Sequence, residues 1–328
     1  MSVTEMPSRR MTEAEWQTRV DLAACYRLVD LFGWSDLINT RITARVPGRD
    51  DYFLINPYGL LFEEVTASSL VKIDAEGNKI EPSEWEVNSA GFAIPSAVHI
   101  ARPELGCVLH THSIAGCAVS MQKDGLLPLN QHALQVIGDV AYHDYEGTAR
   151  NPEERARFLA DLGDRHIMVL RNHGLLIVGT SIAAAFVATY RMERACAIQL
   201  TFQQSGAEFH PIGDEVVSAA YDRFRLTGSG RSDQANFEWP ALLRKLDRID
   251  PSEHIPLFLK VPGVITARRF RAHYGKPAYV ALYHVENTGV YATPAWMAVN
   301  RTPWILRLRK FQRNRTYFMF QAPLYGGA

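Results

Sequence analysis

The strongest constraint on how this chain can fold is an alternation. Short apolar runs of β type are separated repeatedly by turn chemistry or by stretches of helical period. Over 12–33, Trp16, Val20, Ala23, Ala24, Leu28 and Leu31 share one helical stripe, with Gly33 as the stop. β-type runs follow at 42–46, 52–55 and 70–73, bounded by Pro47-Gly48, Pro57-Tyr58-Gly59 and Glu76-Gly77-Asn78. A helix over 90–100 stops before Pro103, and a buried strand is expected at 106–109. Ser113 can cap a helix running to about residue 121, and Asn151-Pro152 opens another, with Asn at the cap and Pro at the first helical position. Apolar runs at 167–170 and 175–178 flank Asn172-His173-Gly174. Ser181 then opens a long helix in which Ile182, Ala185, Phe186, Thr189, Met192, Cys196 and Leu200 recur at steps of three and four. Strands and helices mixed in this way predict a layered α/β or α+β domain.

Charge divides the chain. Thirty-five Lys+Arg balance thirty-five Asp+Glu over 328 residues, yet 254–328 holds eleven basic groups and one acid, Glu286, leaving 24 − 34 = −10 for 1–253. The split predicts two units, an acidic domain over 1–252 and a basic module over 253–328. Strands are expected in the module at 264–271, 279–285 and 316–321, with one or two short helices within 294–310, which makes it a small α+β unit. The N-terminal segment has basic residues but no apolar run behind them, and no stretch approaches the ~18–20 apolar residues of a membrane span. Cys25, Cys107, Cys117 and Cys196 lie far apart in apolar contexts, with no C-x-x-C, and read as reduced thiols. A cytoplasmic protein without membrane contact is expected.

His110-Thr111-His112 is the most informative run, because it sits where a buried strand ends. A period of two puts both imidazoles on one face and Thr111 on the other. Gly174 would let the backbone turn tightly and bring His173 into the same cleft. Three neutral imidazoles with an open position make the ligand set of catalytic Zn²⁺, and equally of Mn²⁺ or Fe²⁺. An innocent reading stands beside it, since the chain has eleven histidines.

Several ordered segments carry a resemblance. Gly33-Trp34-Ser35-Asp36-Leu37, Leu54-Ile55-Asn56-Pro57-Tyr58-Gly59-Leu60, Glu64-Val65-Thr66-Ala67-Ser68-Ser69-Leu70, Ala101-Arg102-Pro103-Glu104, His110-Thr111-His112 and Arg171-Asn172-His173-Gly174 follow the order of the class II aldolase/adducin family. Ala141-Tyr142-His143-Asp144-Tyr145-Glu146-Gly147 is similar to its bacterial adducin-like branch, and the resemblance covers about 12–250. It implies a three-layer α/β/α domain, His110, His112 and His173 as ligands of a divalent metal (zinc first, manganese or iron as alternatives), and a homo-oligomer, usually a tetramer. Departures from the sugar-phosphate aldolases matter as much. Their Ser-Ser-Glu run falls on Ser89-Ala90-Gly91, their phosphate-binding Asn on Thr40 and their Thr-Gly on Tyr58-Gly59, so the anchors for a phosphate are missing. The resemblance therefore implies a metal-dependent carbon–carbon lyase, of decarboxylase or aldolase type, acting on a small non-phosphorylated keto- or hydroxy-acid through a metal-stabilised enolate. Glu64 is the candidate proton-transfer group, Tyr142 the candidate proton donor and Arg171 the candidate carboxylate anchor, each with a purely structural alternative. A scaffold that kept the fold and lost the chemistry, or an Fe²⁺-dependent oxygenase, are the competing readings.

The basic module combines its charge with thirteen aromatics, a composition that can bind single-stranded nucleic acid. Glu253-His254-Ile255-Pro256, Val261-Pro262-Gly263-Val264, Ala267-Arg268-Arg269-Phe270 and Tyr279-Val280-Ala281-Leu282-Tyr283 resemble instead the dimeric α+β-barrel (ferredoxin-like) superfamily, without its first strand. Oligomer contact or lining of a substrate entry is favoured over nucleic acid.

Overall fold

Thr12 starts the first helix by accepting the Glu15 N–H on its hydroxyl at 3.1 Å, and α1 (Glu13–Leu31) ends before Gly33, whose φ of 74° leaves the helical region. The computed structural model describes residues 11–88, 92–147, 152–227, 233–249, 261–271 and 279–300. The chain divides into two compact units, Met1–Leu246 and Asp247–Ala328. The boundary expected at 252/253 lies outside the described residues, as does the strand expected at 316–321.

In the first unit β1 (Arg41–Arg45), β2 (Phe53–Ile55), β3 (Val71–Ile73), β4 (Cys107–Thr111), β5 (Val140–His143), β6 (Ile167–Leu170) and β7 (Gly174–Gly179) form one sheet. Its order is β3-β2-β1-β4-β7-β6-β5, and only the β5–β6 pair is parallel. The strand period of two feeds two cores. Val169, Leu175 and Ile177 pack with Ala188, Met192 and Cys196 of α6 (Ile182–Ser205), beside α3 (Ile114–Ser120) and α4 (Gln131–Leu134). Met168, Leu170, Leu176 and Val178 pack with Val98 of α2 (Ala93–Ala101) and with Phe158 and Leu162 of α5 (Pro152–Leu162). Helices on both faces of a central sheet make the three-layer α/β/α fold. Each fully buried aliphatic chain contributes roughly 1.5–3 kcal/mol, so the alternation specifies which helix lies on which face.

Helix caps fall where the sequence places them. Ser113 Oγ accepts the Gly116 N–H at 3.0 Å, and Ser181 Oγ accepts the Ala184 N–H at 3.1 Å. The buried face of α1 is less apolar than its stripe implies. Glu15 and Arg19 lie on it, with Lys72 Nζ 2.9 Å from Glu15 and Arg19 Nη1 donating to Leu70 O at 2.7 Å, which ties the helix to β3. Tyr26, also from α1, accepts the Ile42 N–H at 2.7 Å and donates to Asn56 Oδ1 at 2.9 Å, pinning β1 to the end of β2. β5, α7 (Asp214–Thr227) and α8 (Ala235–Ile249) were not anticipated; α8 carries Pro240 within it. All four cysteines are free. Among the described residues no helix is long and apolar enough to cross a membrane.

In the second unit β8 (Val264–Arg271) pairs antiparallel with β9 (Tyr279–Val285), with a bulge between Val264 and Thr266. Asn287 Oδ1 accepts the Gly289 N–H at 2.9 Å in the turn that follows, and α9 (Pro294–Asn300) sets Trp296 edge-on to Tyr283 and Tyr291, at centroid distances of 5.3 and 4.7 Å.

Candidate metal centre

β4 continues through His110 and Thr111, so the first imidazole belongs to the sheet itself. His110 is register partner to Arg41 on β1 and to Leu176 on β7. Its Nδ1–H donates to Leu175 O at 2.8 Å, which fixes the tautomer and leaves Nε2 as a lone pair. Burial, then the neighbouring His112 and His173, hold its pKa well below the ordinary imidazole value. His112, one residue beyond the strand, is oriented the same way: Nδ1–H donates to Asp36 Oδ2 at 2.9 Å. His173 comes from the β6–β7 turn. There Asn172 adopts a φ of 57°, the His173 N–H returns to Leu170 O at 3.1 Å, and Cys117 Sγ donates to His173 O at 3.0 Å. Burial, followed by His112 and Arg41, pushes the His173 pKa down to about 4.

The three rings converge, with centroids 4.7, 4.9 and 4.9 Å apart, and one ligand nitrogen of each lies within 4.8 Å of the others. His112 Nε2 and His173 Nε2 face each other at 2.9 Å. With the Nδ1 protons of His110 and His112 committed elsewhere and burial disfavouring the imidazolium form of His110 and His173, the nitrogens present lone pairs to one small volume. Tetrahedral zinc with Zn–N of ~2.0–2.1 Å sets neighbouring nitrogens roughly 3.3 Å apart, so this donor set fits a divalent ion.

Behind the strand end lies a group the sequence did not single out. Glu193 of α6 accepts Thr111 Oγ1–H at 3.1 Å and Ser113 Oγ–H at 2.6 Å, bracketing His112 from the opposite face of the sheet. Burial raises its pKa to about 7 from 4.5. The folded state thus holds this proton more tightly than the unfolded chain. The contribution to stability is present below about pH 4.5 and is lost as pH rises towards 7, because the buried carboxylate must then ionise. Chelator-treated Glu193→Gln is expected to remove this dependence and to melt as though more stable than the parent at pH 8, by on the order of 2–3 kcal/mol. Parallel pH–stability curves for the two proteins would contradict it.

The other candidates have partners of their own. Glu64 is exposed, and its carboxylate accepts the Leu61 N–H at 2.8 Å as a local cap. Tyr142 OH accepts the Leu126 N–H at 3.1 Å, and its ring packs against the α6-side core, where burial raises its pKa. Arg171 lies over that ring at 4.3 Å and donates from Nη1 to Gln122 O at 2.7 Å. The structure brings the three histidines together but does not join Glu64, Tyr142 or Arg171 to them. Tyr145 does approach, with its ring edge-on to His173 at 6.1 Å. Asp36 and Arg41, both beside the triad, were not assigned roles from sequence. Asp36 stood within the Gly33–Leu37 segment, while Arg41 was simply a charge at a strand start.

Two imidazoles from the end of β4 and a third from the β6–β7 turn, on a mainly antiparallel sheet between helical layers, define a class of metal-site fold. The Class II Aldolase and Adducin N-terminal domain matches residues 20–200, and the chain belongs to this family. It is similar to the crystal structure of an aldolase II superfamily protein from Pseudomonas syringae (47% identity, TM-score 0.70, 73% of this chain and 96% of that one). An L-fuculose 1-phosphate aldolase from Glaciozyma antarctica shares 28% identity at a TM-score of 0.62, over 74% of this chain and 96% of that one. Mouse alpha-adducin is 49% identical over 243 residues, covering 70% of this chain and 33% of the adducin.

Proposed function

We propose that the chain is a metal-dependent carbon–carbon lyase, of decarboxylase or aldolase type, acting on a small non-phosphorylated keto- or hydroxy-acid. The observation that carries this reading is the convergence of the ligand nitrogens of His110, His112 and His173. The likeness to a named aldolase at 28% identity supports it. A divalent ion held by these residues, zinc first and manganese or iron with the same ligands, supplies Lewis-acid stabilisation for the negative charge left on a substrate oxygen when a carbon–carbon bond breaks. The chain's own contribution is orientation. Leu175 O and Asp36 hold the Nδ1 protons of His110 and His112, and the left-handed Asn172 presents His173. Proton transfer by Glu64 or Tyr142 and carboxylate binding by Arg171 gain nothing from this geometry and are not carried into the proposal. We place the protein in the cytoplasm as a homo-oligomer, a tetramer by family resemblance. The basic second unit, whose sequence resembles the ferredoxin-like superfamily, is proposed as oligomer contact or lining of a substrate entry.

The test is a panel of hydroxy- and keto-acids offered to metal-loaded protein, read as CO₂ or aldehyde release, with His110→Ala as control. Turnover abolished in the variant is expected; turnover that survives there refutes the mechanism. The likeness to alpha-adducin favours a second reading, a scaffold that retains the fold without chemistry. Metal content separates the two, since a scaffold that lost the site takes up less than about a tenth of an equivalent. Asp36→Asn bears on the lyase reading as well. Loss of the carboxylate partner of His112 is expected to weaken metal affinity ~10–100-fold, measured by competition with a chromogenic chelator.

A further inference from the structure

Glu193 interrupts an apolar stripe. Met192, Ala195 and Cys196 of α6 pack into the core under the sheet, and Glu193 among them is only 2% exposed. A carboxyl buried there costs folding free energy that a leucine of similar volume would not. Among the described residues its partners are two hydroxyls and no cation: Thr111 donates to one oxygen and Ser113 to the other.

These two residues flank His112, and each leads to a further ligand. Thr111 closes β4 and stands opposite Leu175 on β7, whose carbonyl holds the His110 Nδ1–H. The Ser113 hydroxyl, besides donating to Glu193, accepts the Gly116 N–H and so caps α3. α3 in turn holds the β6–β7 turn at two points. Cys117 Sγ–H donates to His173 O at 3.0 Å, and the Asn172 N–H donates to Ser120 O at 3.3 Å. One carboxyl on α6 therefore ties together the strand end that bears His110 and His112 and the helix that supports His173. The strand period puts Thr111 on the face opposite His110, so Glu193 stands behind the donor set. The side chains able to share one ion are the three histidines, without Glu193.

We infer that Glu193 is a positioning residue of the metal centre, aiming His112 and His173 through the hydroxyls of Thr111 and Ser113. The inference rests on the three-histidine centre of the proposed function and not on the lyase chemistry assigned to it. The tolerance is narrow. His112 Nε2 and His173 Nε2 stand 2.9 Å apart, against roughly 3.3 Å around a tetrahedral ion, and a working site has to be held within about 0.5 Å. A carboxyl oxygen is available to each hydroxyl. A glutamine offers one acceptor and must donate to the other hydroxyl, and a leucine leaves both buried hydroxyls unmatched.

The test measures zinc affinity of the full chain by competition with a chromogenic chelator, the visible spectrum of the cobalt-loaded protein, and urea unfolding of the metal-free form. Glu193→Leu is expected to weaken zinc binding about tenfold or more and to change the cobalt spectrum. Glu193→Gln and Thr111→Val are each expected to weaken it about threefold. Thr111→Val added to Glu193→Leu should cost nothing further, because its hydroxyl has already lost its acceptor. A carboxyl that merely supports the fold would lower stability and zinc affinity together. Here metal-free Glu193→Gln is expected to be at least as stable as the parent above neutral pH while binding zinc more weakly. Should Glu193→Leu fail to fold, Glu193→Gln and Thr111→Val decide. Variants within about twofold of the parent that keep its cobalt spectrum, or a fully additive loss in the double variant, would overturn the positioning role. A parent that binds zinc beside unaltered variants overturns this role alone. A parent that takes up no zinc overturns the metal centre and this role with it.

Discussion

His173→Ala is expected to reduce bound metal from about one equivalent to less than a tenth after dialysis, and to lower turnover of any substrate found by at least ~1,000-fold. Two imidazoles on β4 cannot replace the third, because His110 and His112 are held by Leu175 O and Asp36 and cannot re-aim to fill the gap. The fold is expected to survive. His173 lies in a turn, and its ring is not part of either sheet core, so the far-ultraviolet spectrum and melting profile of the metal-free variant should match those of the metal-free parent. Elemental analysis of the two proteins beside their melting curves measures both halves. Full metal occupancy in the variant would show that the ion, if any, is held elsewhere.

The second large effect concerns the backbone that delivers that ring. A Cβ at Gly174 would clash with Thr111 O and stand 3.3 Å from His112 Cδ2. Thr111 O belongs to the strand paired with β7, so the clash cannot be relieved by a side-chain rotation; the strands must part. Gly174→Ala is therefore expected to cost about 3–4 kcal/mol, seen in urea unfolding, and to lower metal affinity as well because His112 is displaced. Gly213→Ala is the matching control, since nothing lies within 4 Å of the added Cβ and it should unfold like the parent. Equal stability of Gly174→Ala and Gly213→Ala would show that the close approach of β4 and β7 is not a constraint.

Much of this architecture was readable because it depends on local rules. The 167–170 run became β6 unchanged, and Ser113 and Ser181 cap the helices they precede, because an N-cap needs only a hydroxyl and three following residues. The histidine pair was legible for a similar reason, since a strand's period of two is set by the backbone. Long-range and directional features were not. Glu193 sits beside Met192 in the apolar stripe of α6, and only the fold reveals that it reaches Thr111 and Ser113 across the sheet. Arg171 is two residues from His173 in sequence, but Asn172 turns the chain at a φ of 57° and sends the guanidinium to Gln122 and Tyr142. Nearness along the chain carried no information about direction there. Pro240 reads as a helix breaker, yet α8 contains it. The charge asymmetry along the chain predicts two units, with a boundary at 252/253 that lies outside the described residues.

X-ray absorption at the metal edge, on protein loaded with one equivalent of zinc, tests the metal centre most directly. The account predicts about three imidazole nitrogens at ~2.0–2.1 Å with one further light-atom ligand, and a loss of one imidazole contribution in any His110, His112 or His173 variant that still binds the ion. A spectrum dominated by water or carboxylate oxygens, unchanged in those variants, would contradict it.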